Sequence, residues 1–522
     1  MLTSDTLEWA ADRIPDREAW SFGATRRNFA EADRRANRVA NALLDLGYEA
    51  HERIAVLASN SDQSAELFFA LGKAGLVAVP LNIRSSPAEL RFICEQARVS
   101  GIFVSTGLVD GFRAADLPSD DLKAVIDLGE GHGLASDYEA LAVAGSPARP
   151  PRRVGSDDLR VIKFTSGTTG TPKGCMGTHR ECLFNVMSYL ITQPYEPHDV
   201  CGLVVSLGAG LGSYLLTAFV YRGCRTVILD TTRPGEILDA IAAEGITRLT
   251  VVPTMIGLLI DEQAAHARDL SSLELIHYTG SPATVDLIRR GQDVLGCGFY
   301  QSYGATESGG RITHLTPEQH RRLVASAAGQ TDAWGREVMP CGLEQPGFEV
   351  RLEDDDGNEV PDGTVGELVV RGESVFKGYW NLPELNAEVL RDGWWRSGDL
   401  ARRATDGTLY IVDRKKDMIV SGGYNVYSVE VEQVLDRHPD VAQVAVVGVP
   451  HPRWGEAICA FVLPRAGIVP EERELEAMCR DALASYKVPK RYVFVDTLPM
   501  TTTGKIRKTA LRDRAVADRT MT

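Results

Sequence analysis

The sequence predicts an α/β protein: a large N-terminal domain of helix-covered sheets that carries a small β-module, followed by a small α+β C-terminal domain. Three observations support this. A chain of 522 residues is too long for one ordinary core. Strand-like and helix-like patterns alternate through the first part, as parallel sheets covered on both faces require. After about residue 340 the texture changes to short strands separated by turn signals.

Phe29–Leu46 has helical spacing, with Ala32, Ala36, Val39, Ala40 and Leu43 on one face and Asn28 before it as an N-cap type. Arg53–Leu57 reads as a strand, Gln63–Ala74 as a helix and Val77–Leu81 as a strand. Further strand-like runs are Val161–Phe164, Thr226–Leu229, Arg248–Val252 and Glu274–Tyr278. Val200–Tyr221 holds no charge, which raises a membrane span. Gly202, Gly208, Gly210 and Gly212 interrupt it, so it predicts a buried strand (Leu203–Leu207), a Gly-rich loop and a buried helix (Tyr214–Tyr221).

In the β-module, Phe348–Leu352 and Gly366–Arg371 flank the turn residues Asp355-Asp356-Gly357-Asn358. Thr408–Val412 is a further strand, ended by the charged run Asp413–Asp417. The boundary falls at Arg414–Lys416, giving domains of residues 1–414 and 415–522. Beyond it Ser428 is expected to cap a helix through His438, with Glu430 and Glu432 at its positive end. Val441–Val449 and Ala457–Leu463 read as strands and Glu472–Leu483 as a helix.

Hydrophobic residues are 44% and charged residues 24%, the balance of a soluble globular protein. A formal net charge of −15 argues against broad binding to nucleic acid or an acidic membrane. Nine cysteines without a Cys-x-x-Cys pair indicate neither a disulfide framework nor a zinc site, and fit a reducing cytoplasm. The first residues lack the basic and apolar regions of a secretory signal.

The chemistry concentrates in a few motifs. The Val161–Phe164 strand runs into Thr165-Ser166-Gly167-Thr168-Thr169-Gly170-Thr171-Pro172-Lys173-Gly174. Its glycines permit tight turns with exposed N–H groups, its hydroxyls donate, and Lys173 is cationic, so the loop can cradle a polyphosphate. It is not a Walker A loop, because Lys173 follows Pro172 and precedes Gly174. Tyr303-Gly304-Ala305-Thr306-Glu307 offers a carboxylate beside a hydroxyl, suited to a hard cation on phosphate oxygens. Trp395–Leu400 contains Asp399, a carboxylate acceptor that by itself also reads as a turn Asp after Gly398. Asp413–Asn425 and Leu498–Lys508 complete the series, the latter with Lys505 behind Gly504.

These motifs, in this order, resemble the adenylate-forming superfamily of acyl- and aryl-CoA synthetases, peptide-synthetase adenylation domains and firefly-type luciferases. The wording of Asp413–Asn425 is most similar to CoA ligases. The resemblance implies ATP, Mg2+ and coenzyme A as substrates and metal, with no prosthetic group, and a small-molecule carboxylic acid as partner. A homodimer is left open. It places ATP on Thr165–Gly170, Lys173, Gly280, Ser281, Pro282, Tyr303–Thr306, Asp399, Arg414 and Lys505. Mg2+ falls to Glu307 and Thr165; the catalytic set is Lys505, Glu307, Lys173 and Thr165. Tyr303 would stack on adenine. Lys416 occupies the hinge of a mobile C-terminal domain, and Gly422, Gly423 and Tyr424 face coenzyme A. Trp454-Gly455-Glu456 is a family-like turn, structural or near the coenzyme A side.

One stretch departs from the family. Where CoA ligases carry a Pro-x-Phe-His-like gate, this chain has Ser206–Gly212, with Gly208 and Ala209 where bulk is usual. The acyl pocket is expected at Gly208, Ala209, Gly210, Tyr214 and Tyr303, with Tyr214 as a substitute gate. Either a wider pocket or compensating backbone repacking follows. The stretch lacks the Asp that amino-acid-activating domains use, and no other anchor for a second substrate charge stands out. The rival readings are loading of a carrier-protein phosphopantetheine, a luciferase-like oxidation and a non-catalytic nucleotide-binding homologue.

Overall fold

The computed structural model describes residues 1–117, 122–129, 136–165, 172–193, 195–209, 211–326, 339–422, 424–465, 468–500 and 505–517. Two sheets and the helices between them form the large first part. In a seven-stranded sheet, Arg53–Leu57, Val77–Pro80, Val99–Val104 and Leu159–Thr165 run parallel, and Lys173–Thr178 closes one edge antiparallel to Leu159–Thr165. In a nine-stranded sheet, Arg225–Ile228, Val200–Leu203, Arg248–Val251, Leu275–Thr279 and Gly298–Tyr303 are parallel neighbours. Their runs are apolar because both faces are covered.

The helices Phe29–Asp45, Asp62–Ala74, His179–Thr192 and Leu211–Arg222 share one core with side chains from both sheets, including Ile54, Val56, Leu203 and Tyr300. Leu211–Arg222 is buried on nearly every side, which explains why its sequence lacks a polar face, whereas the equally buried Asp62–Ala74 pairs its Glu66 with Arg35 and its Lys73 with Glu8 and Asp33. Asn28 caps its helix as expected: its side chain accepts from the Glu31 N–H at 2.8 Å, a contact worth about 1 kcal/mol.

The strand expected at Leu203–Leu207 instead spans Val200–Leu203 and is followed by a short 3-10 turn at Leu207–Ala209. Asn60 causes the early stop. Its Nδ2 donates to the carbonyls of Val204, Val205 and Leu229 at 3.4, 3.2 and 3.0 Å, and its Oδ1 accepts from the Leu207 N–H at 2.8 Å. These bonds replace the ladder and turn the chain. Among the described residues no helix is long and apolar enough to cross a membrane.

The β-module is a five-stranded sheet of Phe348–Glu353, Val365–Gly372, Leu390–Arg391, Trp394–Arg403 and Leu409–Arg414. The next sheet contains Ile419–Ser421, Tyr424–Val426, Val441–His451, Gly455–Pro464 and Arg491–Phe494. Helices Ser428–Leu435, Glu472–Ala482 and Lys508–Ala517 accompany it. Ser428 is not the cap expected. It is the first helical residue, and its hydroxyl donates to Asp413 Oδ2 at 2.8 Å, while the Val429 N–H reaches the same oxygen at 3.4 Å. The carboxylate of Asp413 thus serves the positive helix end. The helix stops at Leu435, short of the expected His438, whose Nδ1 accepts from the Asp440 N–H in a turn. All nine cysteines are free and buried.

Candidate active site

Thr165 ends its strand directly opposite Lys173 in the antiparallel pair, so the two flank the mouth of the expected phosphate loop. Ser166, Gly167, Thr168, Thr169 and Gly170 lie outside the described residues, as do Gly210 and Gly423. Beside Lys173–Thr178 runs the segment around Tyr379. The Met176 N–H donates to the Gly378 carbonyl at 3.0 Å and the Trp380 N–H to the Gly174 carbonyl at 2.7 Å. This register sets the Tyr379 ring 5.6 Å from the Lys173 ammonium.

Tyr379 also reaches the next motif. Its hydroxyl donates to Glu307 Oε1 at 2.8 Å. Burial first, and the neighbouring Glu307 charge second, hold this phenol well above its usual pKa, so it remains a donor at neutral pH. Glu307 lies in the 3-10 turn Thr306–Ser308, which follows the C-terminal end of Gly298–Tyr303. Gly280, Ser281 and Pro282 are exposed at the C-terminal end of the adjacent strand Leu275–Thr279. Thr279 ties the two ends together by donating to the Ser302 carbonyl at 2.7 Å. Ligands of open α/β sheets bind at such strand ends. Gly304 has no space for a Cβ: one would lie 2.5 Å from the Gly310 carbonyl oxygen.

Asp399 sits across the ladder from Arg414, whose Nε is 3.6 Å from Oδ1. The Tyr303 hydroxyl donates to Asp399 Oδ2 at 2.5 Å. Burial raises the Asp399 pKa, while Arg414, Tyr303 and Lys505 oppose the rise. Lys505 is exposed by surface area, yet the protein around its ammonium lowers its pKa; Arg414 adds to the effect, and Asp399 and Glu307 oppose it. The charge of Lys505 is therefore felt at both carboxylates.

Lys416 lies in the turn after the Leu409–Arg414 strand, and its carbonyl accepts from Arg512 Nη2 at 3.0 Å. Burial pushes its ammonium down to about 8. Gly422 has a φ of 61° and donates its N–H to the Trp454 carbonyl at 2.8 Å. Tyr424 is exposed and stacks on Tyr486 at 4.6 Å between centroids.

Two acyl-pocket expectations change. Gly208 does not face open space: a Cβ there would meet the Ala58 carbonyl oxygen at 3.3 Å and that of Leu81 at 3.6 Å. Its small size allows two backbones to approach, which favours the repacking alternative over a widened pocket. Of Ala209, the backbone is described, in the 3-10 turn. Tyr214 is 1% exposed. Its hydroxyl meets Glu181 at 3.3 Å and its ring lies 4.1 Å from the Lys163 ammonium, so it packs beneath the phosphate-loop strands rather than at an open gate. Burial raises Glu181 to about 7 and lowers Lys163 to about 8.

Tyr379, Glu181 and Lys163 were not among the residues singled out by sequence. Tyr379 in Phe376–Trp380 looks like any aromatic beside a glycine; only strand register brings it to Glu307. Among the described residues no group of three or more His, Cys, Asp or Glu side chains is arranged to hold a metal. A single carboxylate fits Mg2+ that is held mainly by nucleotide phosphates. Glu307, half-buried and with one oxygen engaged by Tyr379, has the chemistry such a ligand needs.

The profile described as "AMP-binding enzyme" matches residues 7–380, and that described as "AMP-binding enzyme C-terminal domain" matches residues 430–505. The chain is 37% identical to a feruloyl-CoA synthase of an Amycolatopsis species over 503 residues, covering 96% of each. It is 33% identical to the fatty acid–[acyl-carrier-protein] ligase ScoC of Streptomyces coeruleorubidus, covering 94% of this chain and 92% of that one. Among solved structures, ATP-bound MatB from Rhodopseudomonas palustris superposes with a TM-score of 0.87 at 29% identity, covering 98% and 99%. On the extent of these matches, the chain belongs to the AMP-binding enzyme family.

Proposed function

We propose that the chain joins a carboxylic acid to coenzyme A in two half-reactions at one site. In the first, a carboxylate oxygen attacks the α-phosphorus of ATP and the bond to pyrophosphate breaks, leaving acyl-AMP. In the second, the coenzyme A thiol attacks the acyl carbon and AMP departs. The observation that carries this reading is the convergence of Glu307, Asp399, Arg414 and Lys505 from four separate motifs, with Arg414 Nε 3.6 Å from Asp399 and the charge of Lys505 acting on both carboxylates.

Both reactants of the first step are anionic, so the site must neutralise charge before it needs any acid or base. Lys173 and Lys505 supply cations, and the donors near Thr165 and Thr306 meet phosphate oxygens. Glu307, with Thr165 at the loop mouth, would hold Mg2+, which would supply further charge neutralisation on the phosphates. Asp399 accepts the ribose hydroxyls while Tyr303 and Arg414 fix its carboxylate. Positioning and electrostatics carry the step.

The domains are taken as 1–414 and 415–522, turning about Lys416. Rotation withdraws Lys505 and brings the Gly422–Tyr424 face to the adenylate. Nine reduced, buried thiols fit a cytoplasmic enzyme. Similarity to a carrier-protein ligase supports one alternative acceptor, a phosphopantetheine arm. Incubating the enzyme and an acid panel with ATP and either coenzyme A or a holo carrier protein separates the two. Thioester on coenzyme A alone supports the proposal; thioester on the carrier alone replaces it.

A further inference from the structure

We propose that Arg311 anchors an acceptor oxygen that the substrate acid carries far from its reacting carboxylate. The inference rests on the adenylation reading above and extends it to the class of acid. It also revises the sequence expectation, which found no anchor for a second substrate charge.

Arg311 hangs from the turn that carries Thr306 and Glu307. Gly309 and Gly310, with φ of 71° and 107°, redirect the chain after that turn, and the Ile312 N–H then donates to the Tyr303 carbonyl at 2.7 Å. The Arg311 side chain is consequently driven inward and is 1% exposed. Its guanidinium lies 3.7 Å from the centroid of Tyr189, and Nη1 donates to Asn185 Oδ1 at 3.1 Å. Nε and Nη2 are buried with no hydrogen-bond partner, and so is Asn185 Nδ2.

The surroundings do not neutralise it. His277 bonds Tyr189 at 3.1 Å and Ser302 at 2.8 Å. Burial, with Arg311 second, holds the His277 imidazole well below its usual pKa, so it is neutral. Glu181, on the same helix as Asn185 and Tyr189, is bonded to Thr178 and Tyr214 and is stabilised by the charges of Lys163 and Arg160. Arg311 forms no ion pair with a described carboxylate. A guanidinium keeps its charge, and a buried cation with two idle donors is costly unless something completes it.

The position suits a substrate group. His277 and Ser302 lie on the parallel strands Leu275–Thr279 and Gly298–Tyr303, whose C-terminal ends border the proposed nucleotide site. An acid with its reacting carboxylate near Thr306 could extend inward towards Nε, Nη2 and Asn185 Nδ2. A second carboxylate would bind two of these donors side by side; a hydroxyl or ether oxygen would accept from one.

Matched acids test this. Octanoic, 8-hydroxyoctanoic and octanedioic acids form one set. Cinnamic acid with hydrogen, hydroxyl or carboxylate at ring position 4 forms another. Acid-dependent ATP–pyrophosphate exchange is measured with the wild-type enzyme, Arg311→Met and Arg311→Lys. Wild type should favour acids with a distal oxygen by about tenfold to a hundredfold in kcat/KM, as a hydrogen bond to a charged group implies. Arg311→Met should erase the preference with the KM for ATP unchanged, and Arg311→Lys should keep part of it. Whether the carboxylate or hydroxyl members lead identifies the oxygen. A wild-type enzyme that treats each set alike overturns the proposal, since an internal water then completes the guanidinium; this comparison stands even where Arg311→Met fails to fold. Exchange with none of these acids, nor with a wider panel, sinks the adenylation reading itself and this proposal with it.

Discussion

Replacing Tyr379 by Phe isolates one hydrogen bond at the proposed metal site. The ring of Tyr379 is buried against Phe376, with centroids 4.9 Å apart, and Phe preserves that packing. It also preserves the aromatic face near the Lys173 ammonium. What disappears is the hydroxyl 2.8 Å from Glu307 Oε1. A hydrogen bond to a charged group contributes about 1.5–3 kcal/mol. Glu307 is half-buried, so water can take over part of the role, and the lower end applies. At 1.36 kcal/mol per factor of ten, Tyr379→Phe should slow pyrophosphate exchange about tenfold. Because Tyr379 orients Glu307 rather than touching substrate, the Mg2+ concentration for half-maximal rate should rise, while the KM for the acid stays constant. A folded variant with unchanged rate and unchanged Mg2+ dependence would refute the assignment of Glu307 and Tyr379 to metal positioning.

Lys505→Ala should cost about 10²–10³ in adenylation but spare thioester formation from supplied acyl-adenylate; equal losses in both would remove Lys505 from its half-reaction. Because the protein around its ammonium, and Arg414 after it, lower its pKa, wild-type adenylation should fade with rising pH earlier than an ordinary lysine would dictate. Lys416→Pro should permit adenylation and block thioester formation. The turn's bonds run from the Asp417 and Met418 N–H groups to the Arg414 carbonyl, so proline leaves them intact while fixing φ; normal coenzyme A turnover would exclude the hinge. His179 accepts from the Thr3 N–H at 3.1 Å, and burial depresses its imidazole to about 3 from 6.5. Between those values the unfolded chain binds the extra proton, so this contribution to stability is lost as pH falls below about 6.5. His179→Gln should flatten the denaturation-midpoint slope from pH 4.5 to 6.5 by nearly one proton, about 1.4 kcal/mol per pH unit; an unchanged slope would contradict a buried neutral His179.

Local patterns made much of the fold legible. Helix Phe29–Asp45 shows its buried face at helical spacing, and Arg53–Leu57 is a strand over the same residues in sequence and structure. The candidate site residues proposed from sequence stand out because each belongs to a motif with its own chemistry, whereas Tyr379 does not. What the sequence hid depends on distant partners. The end of the Val200–Leu203 strand is set by Asn60, and the cap of the Ser428–Leu435 helix comes from Asp413 in the preceding sheet. At Gly208 the sequence left a wider pocket and backbone repacking open, and the close approach of the Ala58 carbonyl favours the second. Arg311 belongs to no motif in the sequence; two glycines in left-handed backbone precede it and its side chain is buried.

The central claim is attack of a carboxylate oxygen on the α-phosphorus of ATP. Mass spectrometry of the AMP formed from an 18O-carboxylate acid tests it most directly. The account predicts one 18O atom in AMP for each coenzyme A thioester formed. Label in inorganic phosphate, with ADP as the nucleotide product, would show attack at the γ-phosphorus and contradict it.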